Sequence, residues 1–179
     1  MADKLTDFGH TFQIKSVACL MKNQTFLEQV HDILDEKYYD SDSLKWVVKE
    51  CKNYFDEYRK CITLDVFKVK VNDIMNDVLK TSVVETLKDI FRHVESPDLE
   101  FIQDRALDFF KNQTLKSAIL QSVEILELKG DYEQIKVIVD DALRAGTERN
   151  IGHEYIEHVE DRYSETARTT VSTGWDVID

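Results

Sequence analysis

The stretch that decides the fold is residues 97–146, PDLEFIQDRALDFFKNQTLKSAILQSVEILELKGDYEQIKVIVDDALRAG. After Pro97 its apolar residues recur at intervals of three and four without a Pro or Gly before Gly130, which predicts one helix of about thirty residues. Gly130 is a typical helix end and Asp131 a typical N-cap, so a second helix should follow and end at Gly146. We expect the two helices to fold back as an antiparallel hairpin.

The length of the first hairpin helix has a consequence for assembly. A helix of about thirty residues is about 45 Å long, which is more than a domain of this size can cover. Part of its apolar face is therefore expected to meet another chain. The stripe is imperfect from Lys111 to Gln113, and a hairpin that is buried entirely within its own monomer is the alternative.

Composition favours an all-α fold. The chain has 179 residues, 42% of them hydrophobic, enough for one domain plus an appendage. One Pro and five Gly are few for an all-β protein, which needs frequent turn residues. The net charge of -12, with no basic stripe visible along the chain, argues against autonomous binding to nucleic acid. An acidic surface of this kind suits a basic partner.

The residues before the hairpin predict a helical head of about five helices over residues 11–95, after a flexible N-terminus at residues 1–10. The candidate caps at 40–43 precede a third helix. A fourth is expected from Thr63 to Leu79 and a fifth over 82–94. Residues 66–71 also alternate as a strand would, but the helical period continues to Leu79 and favours helix.

Beyond Gly146 the composition changes to that of a linker, residues 147–172, with a short helix predicted over 153–164. A helix of about twelve residues is marginal alone, so its apolar side needs a docking surface. That side consists of Tyr155, Ile156, Val159 and Tyr163. Residues 173–179 end in the middle of a sequence pattern, so we expect them to be the start of a truncated domain.

No catalytic, cofactor-binding or metal-binding residue is predicted. The chain has no glycine-rich phosphate loop and no ordered triad. His153 and His158 are five residues apart, about 140° around a helix, whereas a zinc helix needs two histidines on one face. The scattered Cys19, Cys51 and Cys61 are typical of reduced thiols near a core. Without a signal peptide or an apolar stretch of membrane-spanning length, a soluble, cytoplasmic protein is expected.

The order of these parts resembles the N-terminal region of DnaB-type replicative DNA helicases, above all those of large tailed phages. The resemblance is carried by the head phrases Cys19-Leu20-Met21-Lys22, Phe26-Leu27 and Tyr38-Tyr39, and by the hairpin phrase from Asp131 to Leu143. Ile151-Gly152-His153-Glu154-Tyr155 is similar to the phage linker. Thr173-Gly174-Trp175 is similar to the entry of the RecA-like ATPase domain at residues 173–179.

The resemblance implies a function. In that family, N-terminal domains, here residues 11–146, pair through their hairpins into a collar over a hexameric ring that unwinds duplex DNA with ATP. The collar binds primase, and a helicase loader assists assembly of the ring. DNA is bound only through the complete ring. ATP and Mg²⁺ would belong to a motor beyond Asp179. By the resemblance, the hairpin contact would include Phe109, Phe110, Ile119 and Leu126, and the linker residues Tyr155, Ile156, Val159 and Tyr163 would face a neighbouring subunit.

Two positions depart from the bacterial pattern. Gln13 stands where bacterial members usually have an acidic residue, and Ile62-Thr63 stands where they have Pro-Thr. Both favour a phage protein, which would act in the cytoplasm of the bacterial host. The alternative from another class is a free-standing acidic helical adaptor, such as a helicase loader or inhibitor.

Overall fold

Helices account for the regular structure of the described residues, 4–128 and 131–147, in this computed structural model. The prediction of an all-α chain is thereby confirmed. The α-helices of the described residues are α1 His10–Lys22, α2 Gln24–Val30, α3 Asp42–Tyr58, α4 Leu64–Asn72, α5 Asp77–His93, α6 Leu99–Glu127 and α7 Tyr132–Arg144.

Side-chain caps determine where several helices begin. Asn23 accepts a hydrogen bond from the Phe26 amide at the start of α2, and Ser41 accepts one from the Leu44 amide at the start of α3. Asp131 accepts from the Glu133 amide at 3.0 Å, so the predicted N-cap of the second hairpin helix is confirmed. Each cap satisfies an amide that the first helical turn leaves without an intrahelical partner.

Helix α1 is the centre of the head, because it packs against α2, α3, α5 and α6. Its residues Val17, Ala18 and Leu20 are completely buried. Helices α3 and α5 also pack on each other, and α4 packs on α5. The head core therefore surrounds one short apolar helix rather than the long α6.

The break between the fourth and fifth helices lies earlier than the sequence predicted. Helix α4 ends at Asn72, and the Asn76 side chain caps α5 by accepting hydrogen bonds from the Val78 and Leu79 amides. Met75 and Val78, which continue the apolar period of the predicted fourth helix, are 99% and 80% exposed. The local hydrogen bonds of Asn76 prevail over a helical apolar period that continues through the break. The helical prediction for residues 66–71 is confirmed.

The N-terminus also differs from its prediction as a loose end. Leu5–Phe8 forms a 3₁₀ helix, and Leu5 is completely buried. The Phe8 ring stacks on the Phe12 ring with centroids 4.6 Å apart. The buried Leu5 and the stacking of Phe8 on Phe12 hold this segment on the head, although the two residues show no helical period.

Helix α6 has 29 residues and is about 43 Å long. Its N-terminal half packs on the head, and its C-terminal half packs on α7. The buried positions of the two halves, Leu99 to Phe110 and Ala118 to Ser122, lie about 150° apart around the helix axis at 100° per residue. This change of face explains the irregular stripe at residues 111–113.

Candidate functional site

Two of the four predicted contact residues, Phe109 and Phe110, lie inside the head. They are 4% and 0% exposed. The Tyr38 ring lies 5.5 Å from the Phe109 ring and 5.8 Å from the Phe110 ring, and Phe8 meets Phe109 edge to face at 6.3 Å. These phenylalanines therefore fix α6 to the head and leave no surface for a second chain.

The other two, Ile119 and Leu126, lie on the distal half of α6, and both are about half exposed, at 51% and 50%. Val123, between them in the sequence, is 45% exposed. Steps of four and three residues put the three side chains on one stripe of the helix. The structure thus separates the predicted hairpin residues into a buried pair and an exposed pair.

The buried positions between α6 and α7 have small side chains, and the larger, half-buried Leu115, Ile125, Ile135 and Ile138 follow the same stripes. Ala118, Ser122 and Ala142 are buried there, and the Ser122 hydroxyl donates a hydrogen bond to the Ala118 carbonyl oxygen at 2.7 Å. The larger Ile119, Val123 and Leu126 are not used for this seam. These three residues lie on a separate stripe of α6, so the hairpin has apolar surface in addition to its own seam.

Helix α7 adds apolar residues to the same side of the hairpin. Tyr132 and Leu143 are 75% and 61% exposed, and Val139 between them is half-buried. On both helices the exposed stripe is offset from the seam by about 90° in the same rotational sense. Because the helices are antiparallel, the two stripes lie side by side. We name this surface the hairpin face, and it consists of Ile119, Val123, Leu126, Tyr132, Val139 and Leu143.

The base of the hairpin is anchored to the head at Gly146. The Gln29 side-chain amide donates a hydrogen bond to the Gly146 carbonyl oxygen at 3.0 Å. Gly146 has a φ of 66°, and a Cβ there would lie 2.7 Å from Ile33 Cδ1 and 3.2 Å from Leu107 Cδ1. Glycine suits both the left-handed backbone and the close approach. The hairpin therefore leaves the head at a fixed point.

The thiols of the head are unsuited to nucleophilic chemistry. Burial raises the pKa of Cys19 to about 11 and raises the pKa of Cys51 still further above its ordinary value. Cys61 is half-buried, and burial raises its pKa too. All three are therefore protonated at neutral pH, and a thiol is reactive only as the thiolate.

Within residues 4–128 and 131–147, no group of His, Cys, Asp and Glu side chains is arranged to hold a metal ion.

The predicted linker contacts Tyr155, Ile156, Val159 and Tyr163 lie outside the described residues, as do His153 and His158. Residues 173–179, with the Thr-Gly-Trp phrase, also lie outside them.

For the part of the chain that is described, no helix combines the length and the apolar content that crossing a membrane requires.

Sequence reasoning missed a cluster of basic side chains. Lys68 of α4 and Lys80, Lys88 and Arg92 of α5 line one groove between the two helices. The four cations are spread over 25 positions, so they make no basic run in the sequence. A signal was nevertheless present, since Lys80, Val84, Leu87 and Phe91 follow helical spacing on one stripe of α5.

Comparison with protein-family models, with curated proteins and with solved structures finds no match to this chain.

Proposed function

We propose that this chain is a self-associating helical scaffold, and that it forms the N-terminal collar of a hexameric DnaB-type replicative helicase. The observation that carries the proposal is the hairpin face, where about half-exposed aliphatic side chains form a stripe beside the α6–α7 seam. Contiguous exposed apolar surface of this kind typically marks an interaction site. In a twofold dimer, the hairpin face of one copy would pack against the hairpin face of the second copy.

The energetics of such a pairing are favourable. Burying a complete Leu or Ile side chain contributes about 1.5–3 kcal/mol. Ile119 and Leu126 are about half exposed and Leu143 is 61% exposed, so each would contribute roughly half of that range or slightly more on pairing. The free energy gained by burying the six residues of each hairpin face then offsets a substantial part of the entropy lost on association.

The wider role follows from the family resemblance. In a collar the chain positions motor domains and recruits primase, and a loader assists its assembly. ATP hydrolysis and Mg²⁺ binding would belong to the motor domain. The net charge of -12 agrees with a scaffold that leaves DNA binding to the assembled ring.

A second candidate is a free-standing acidic adaptor, for which the same net charge is the favouring observation. A helicase loader or inhibitor would use the hairpin face for a different protein, and the acidic surface would attract a basic partner. The reading frame that encodes the chain distinguishes the two candidates. A Gly-Lys-Ser or Gly-Lys-Thr phosphate loop in the same frame after Asp179 supports the helicase, and a stop codon there supports the adaptor.

Cross-linking tests the self-association. Val123→Cys, made together with Cys61→Ser, places a reactive thiol on the hairpin face while Cys19 and Cys51 remain buried. A flexible bismaleimide is expected to link two copies of this variant. Val137→Cys is the matched control, because Val137 is 53% exposed on the opposite side of α7. Equal cross-linking of both variants would mean random collision and would contradict the proposal.

A further inference from the structure

The groove between α4 and α5 has the composition of a peptide-binding site. Its volume is about 790 Å³, and it is open to solvent on the surface of the head. Its lining residues fall into an apolar floor and a polar rim. The floor consists of Leu64, Val71, Val84, Leu87 and Phe91, and the rim consists of Lys68, Asn72, Lys80, Lys88 and Arg92.

The floor is accessible although it belongs to the head. Leu64 and Val84 are 38% and 37% exposed at the mouth of the groove, while Val71 and Leu87 are 6% exposed at its bottom. Other side chains of α4 and α5, Phe67 and Val83 among them, are completely buried in the core. Each helix therefore has one apolar side for the core and a second apolar side for the groove.

The rim has an unusual charge for this chain. Four of its side chains are cationic and none is acidic, whereas the whole chain carries 35 acidic and 23 basic residues. Lys68 pairs with Asp65 at 2.8 Å and Arg92 pairs with Asp89 at 2.7 Å, so these two charges are partly neutralised. Lys80 Nζ donates a hydrogen bond to the Asn72 carbonyl oxygen at 3.5 Å and has no acidic partner within residues 4–128 and 131–147. For Lys88 the described residues provide no ion-pair partner. The groove is thus a local positive site on an acidic molecule.

We propose that this groove binds an acidic amphipathic helix of a partner protein. The stripe from Lys80 to Phe91 is about 16 Å long, which matches three turns of a helix. Apolar side chains at every third or fourth position of that helix would fill the floor, as in other helix-in-groove complexes. Glutamates or aspartates on its flanks would meet Lys80 and Lys88. The apolar floor disfavours a nucleic acid, whose phosphates would neutralise the rim and leave the floor uncovered. The inference does not rest on the proposed function, since the groove lies on α4 and α5 and the hairpin face on α6 and α7.

A synthetic probe tests the proposal directly. The probe is a fluorescein-labelled peptide of sixteen residues, with leucine at every third or fourth position and glutamate on the flanks. Fluorescence anisotropy with the full 179-residue chain is expected to detect saturable binding that weakens with added salt. A second peptide with lysine in place of every glutamate is the charge control, and it is expected to bind at least about tenfold more weakly.

Variants locate the binding site. Lys80→Glu with Lys88→Glu reverses the two rim charges that lack acidic partners, and it should weaken probe binding about tenfold. Val84→Asp places a charge on the floor and should have an effect of similar size. Lys49→Glu is the matched control, because Lys49 is an exposed lysine of α3 outside the groove, and it should change binding less than about twofold. Circular dichroism establishes that each variant is folded.

Three outcomes would overturn the proposal. The first is equal binding of the acidic and the basic peptide. The second is displacement of the probe by a sixteen-nucleotide oligothymidylate at equal or lower concentration, which would assign the groove to nucleic acid. The third is a loss of self-association in the Lys80→Glu, Lys88→Glu variant, which would assign the groove to a second copy of the chain. Absence of self-association in the wild type would contradict the proposed function and leave the peptide result unaffected.

Discussion

Gln13 and Asp40 hold each other through two hydrogen bonds. The Gln13 side-chain amide donates to Asp40 Oδ2 at 2.8 Å, and the Asp40 backbone amide donates to Gln13 Oε1 at 3.1 Å. Gln13 is completely buried in α1, and Asp40 lies just before α3. A neutral amide fits this position because it supplies a donor and an acceptor at once. The pair ties the central helix of the head to the segment that leads into α3.

Replacing the Gln13 amide by a carboxylate should therefore destabilise this chain. In Gln13→Glu a carboxylate would face the Asp40 carboxylate without a proton to donate, and we expect a loss of about 1–3 kcal/mol in the free energy of unfolding at pH 7. The introduced carboxyl would have a pKa above its ordinary value of about 4.3, so the loss should appear as pH rises through that range and shrink near pH 4. Urea denaturation at both pH values measures it.

The control for this substitution is the double variant Gln13→Glu, Asp40→Asn. The new asparagine amide can donate to the introduced carboxylate, so most of the stability should return. Equal stability of Gln13→Glu and wild type at pH 7 would contradict the role assigned to the pair.

Phe110 and Ile119 were both predicted as hairpin contacts, but truncation should destabilise the chain much more at Phe110 than at Ile119. Phe110→Ala removes a completely buried ring, and we expect it to cost about 3–5 kcal/mol of stability. Ile119→Ala removes a half-exposed side chain and should cost less than about 1 kcal/mol in the monomer. Thermal unfolding followed by circular dichroism compares the two. Similar melting temperatures for both variants would show that Phe110 is not a core residue.

The sequence predicted the helical class and the ends of the hairpin helices because their signals are local. Asp131 caps its own first turn, and the absence of Pro and Gly between Pro97 and Gly130 identifies one long helix despite its irregular stripe. Phe110 and Ile119 are nine residues apart, which puts them on opposite sides of α6 at 100° per residue, so the irregular stripe at residues 111–113 was a signal of the change of face. Which of the two sides the head covers could not be predicted, because both sides carry large apolar residues. The packing of α1, α2 and the aromatic side chains Tyr38 and Phe8 on α6 determines which half of the helix the head covers.

The basic groove escaped prediction for a related reason. Lys68 and Lys88 are twenty positions apart and come together only because the chain turns between α4 and α5. That turn was itself predicted too late in the sequence, since the apolar period runs through residues 73–76. An error in one helix boundary thus hid a surface feature that depends on two helices.

Gly146 gives a test of how the hairpin is anchored. Gly146→Ala adds a Cβ 2.7 Å from Ile33 Cδ1 on a left-handed backbone, and we expect a loss of about 1–3 kcal/mol. Hydrogen exchange should increase in α7 because the base of the hairpin is loosened. Gly9→Ala is the matched control, since Gly9 also has a positive φ, 88°, but no atom lies within 4 Å of a Cβ there. Unchanged protection of α7 in Gly146→Ala would contradict the anchoring role.

Buried thiol and phenol groups predict instability at high pH. Burial raises the pKa of Cys19 to about 11 from an ordinary value of 9.0, and it raises the pKa values of Cys51 and Tyr39 still higher. Because the folded pKa values exceed the unfolded ones, the stability that the thiols contribute is complete below pH 9 and is lost as pH rises above it. For Tyr39, whose ordinary pKa is 10.0, the loss begins near pH 10. For Cys51 and Tyr39, which are fully buried, the slope should reach up to about 1.4 kcal/mol per pH unit for each group.

Urea denaturation at pH 8, 9 and 10 measures this loss. Cys51→Ala should unfold with a shallower dependence on pH than wild type, because one of the titrating groups is gone. A free energy of unfolding that stays constant from pH 8 to 10 would contradict the prediction.

The central claim is that the hairpin face joins two copies of the chain, and sedimentation equilibrium tests it most directly. At about 0.1 mM, the wild type should sediment above its monomer mass of 20.9 kDa, and Ile119→Glu and Leu126→Glu should weaken association at least about tenfold while keeping their helix content. Val137→Glu, which adds the same charge to the opposite side of α7, should associate as the wild type does. A wild-type chain that remains strictly monomeric at this concentration, or a Val137→Glu variant that dissociates as readily as Ile119→Glu, would contradict the account.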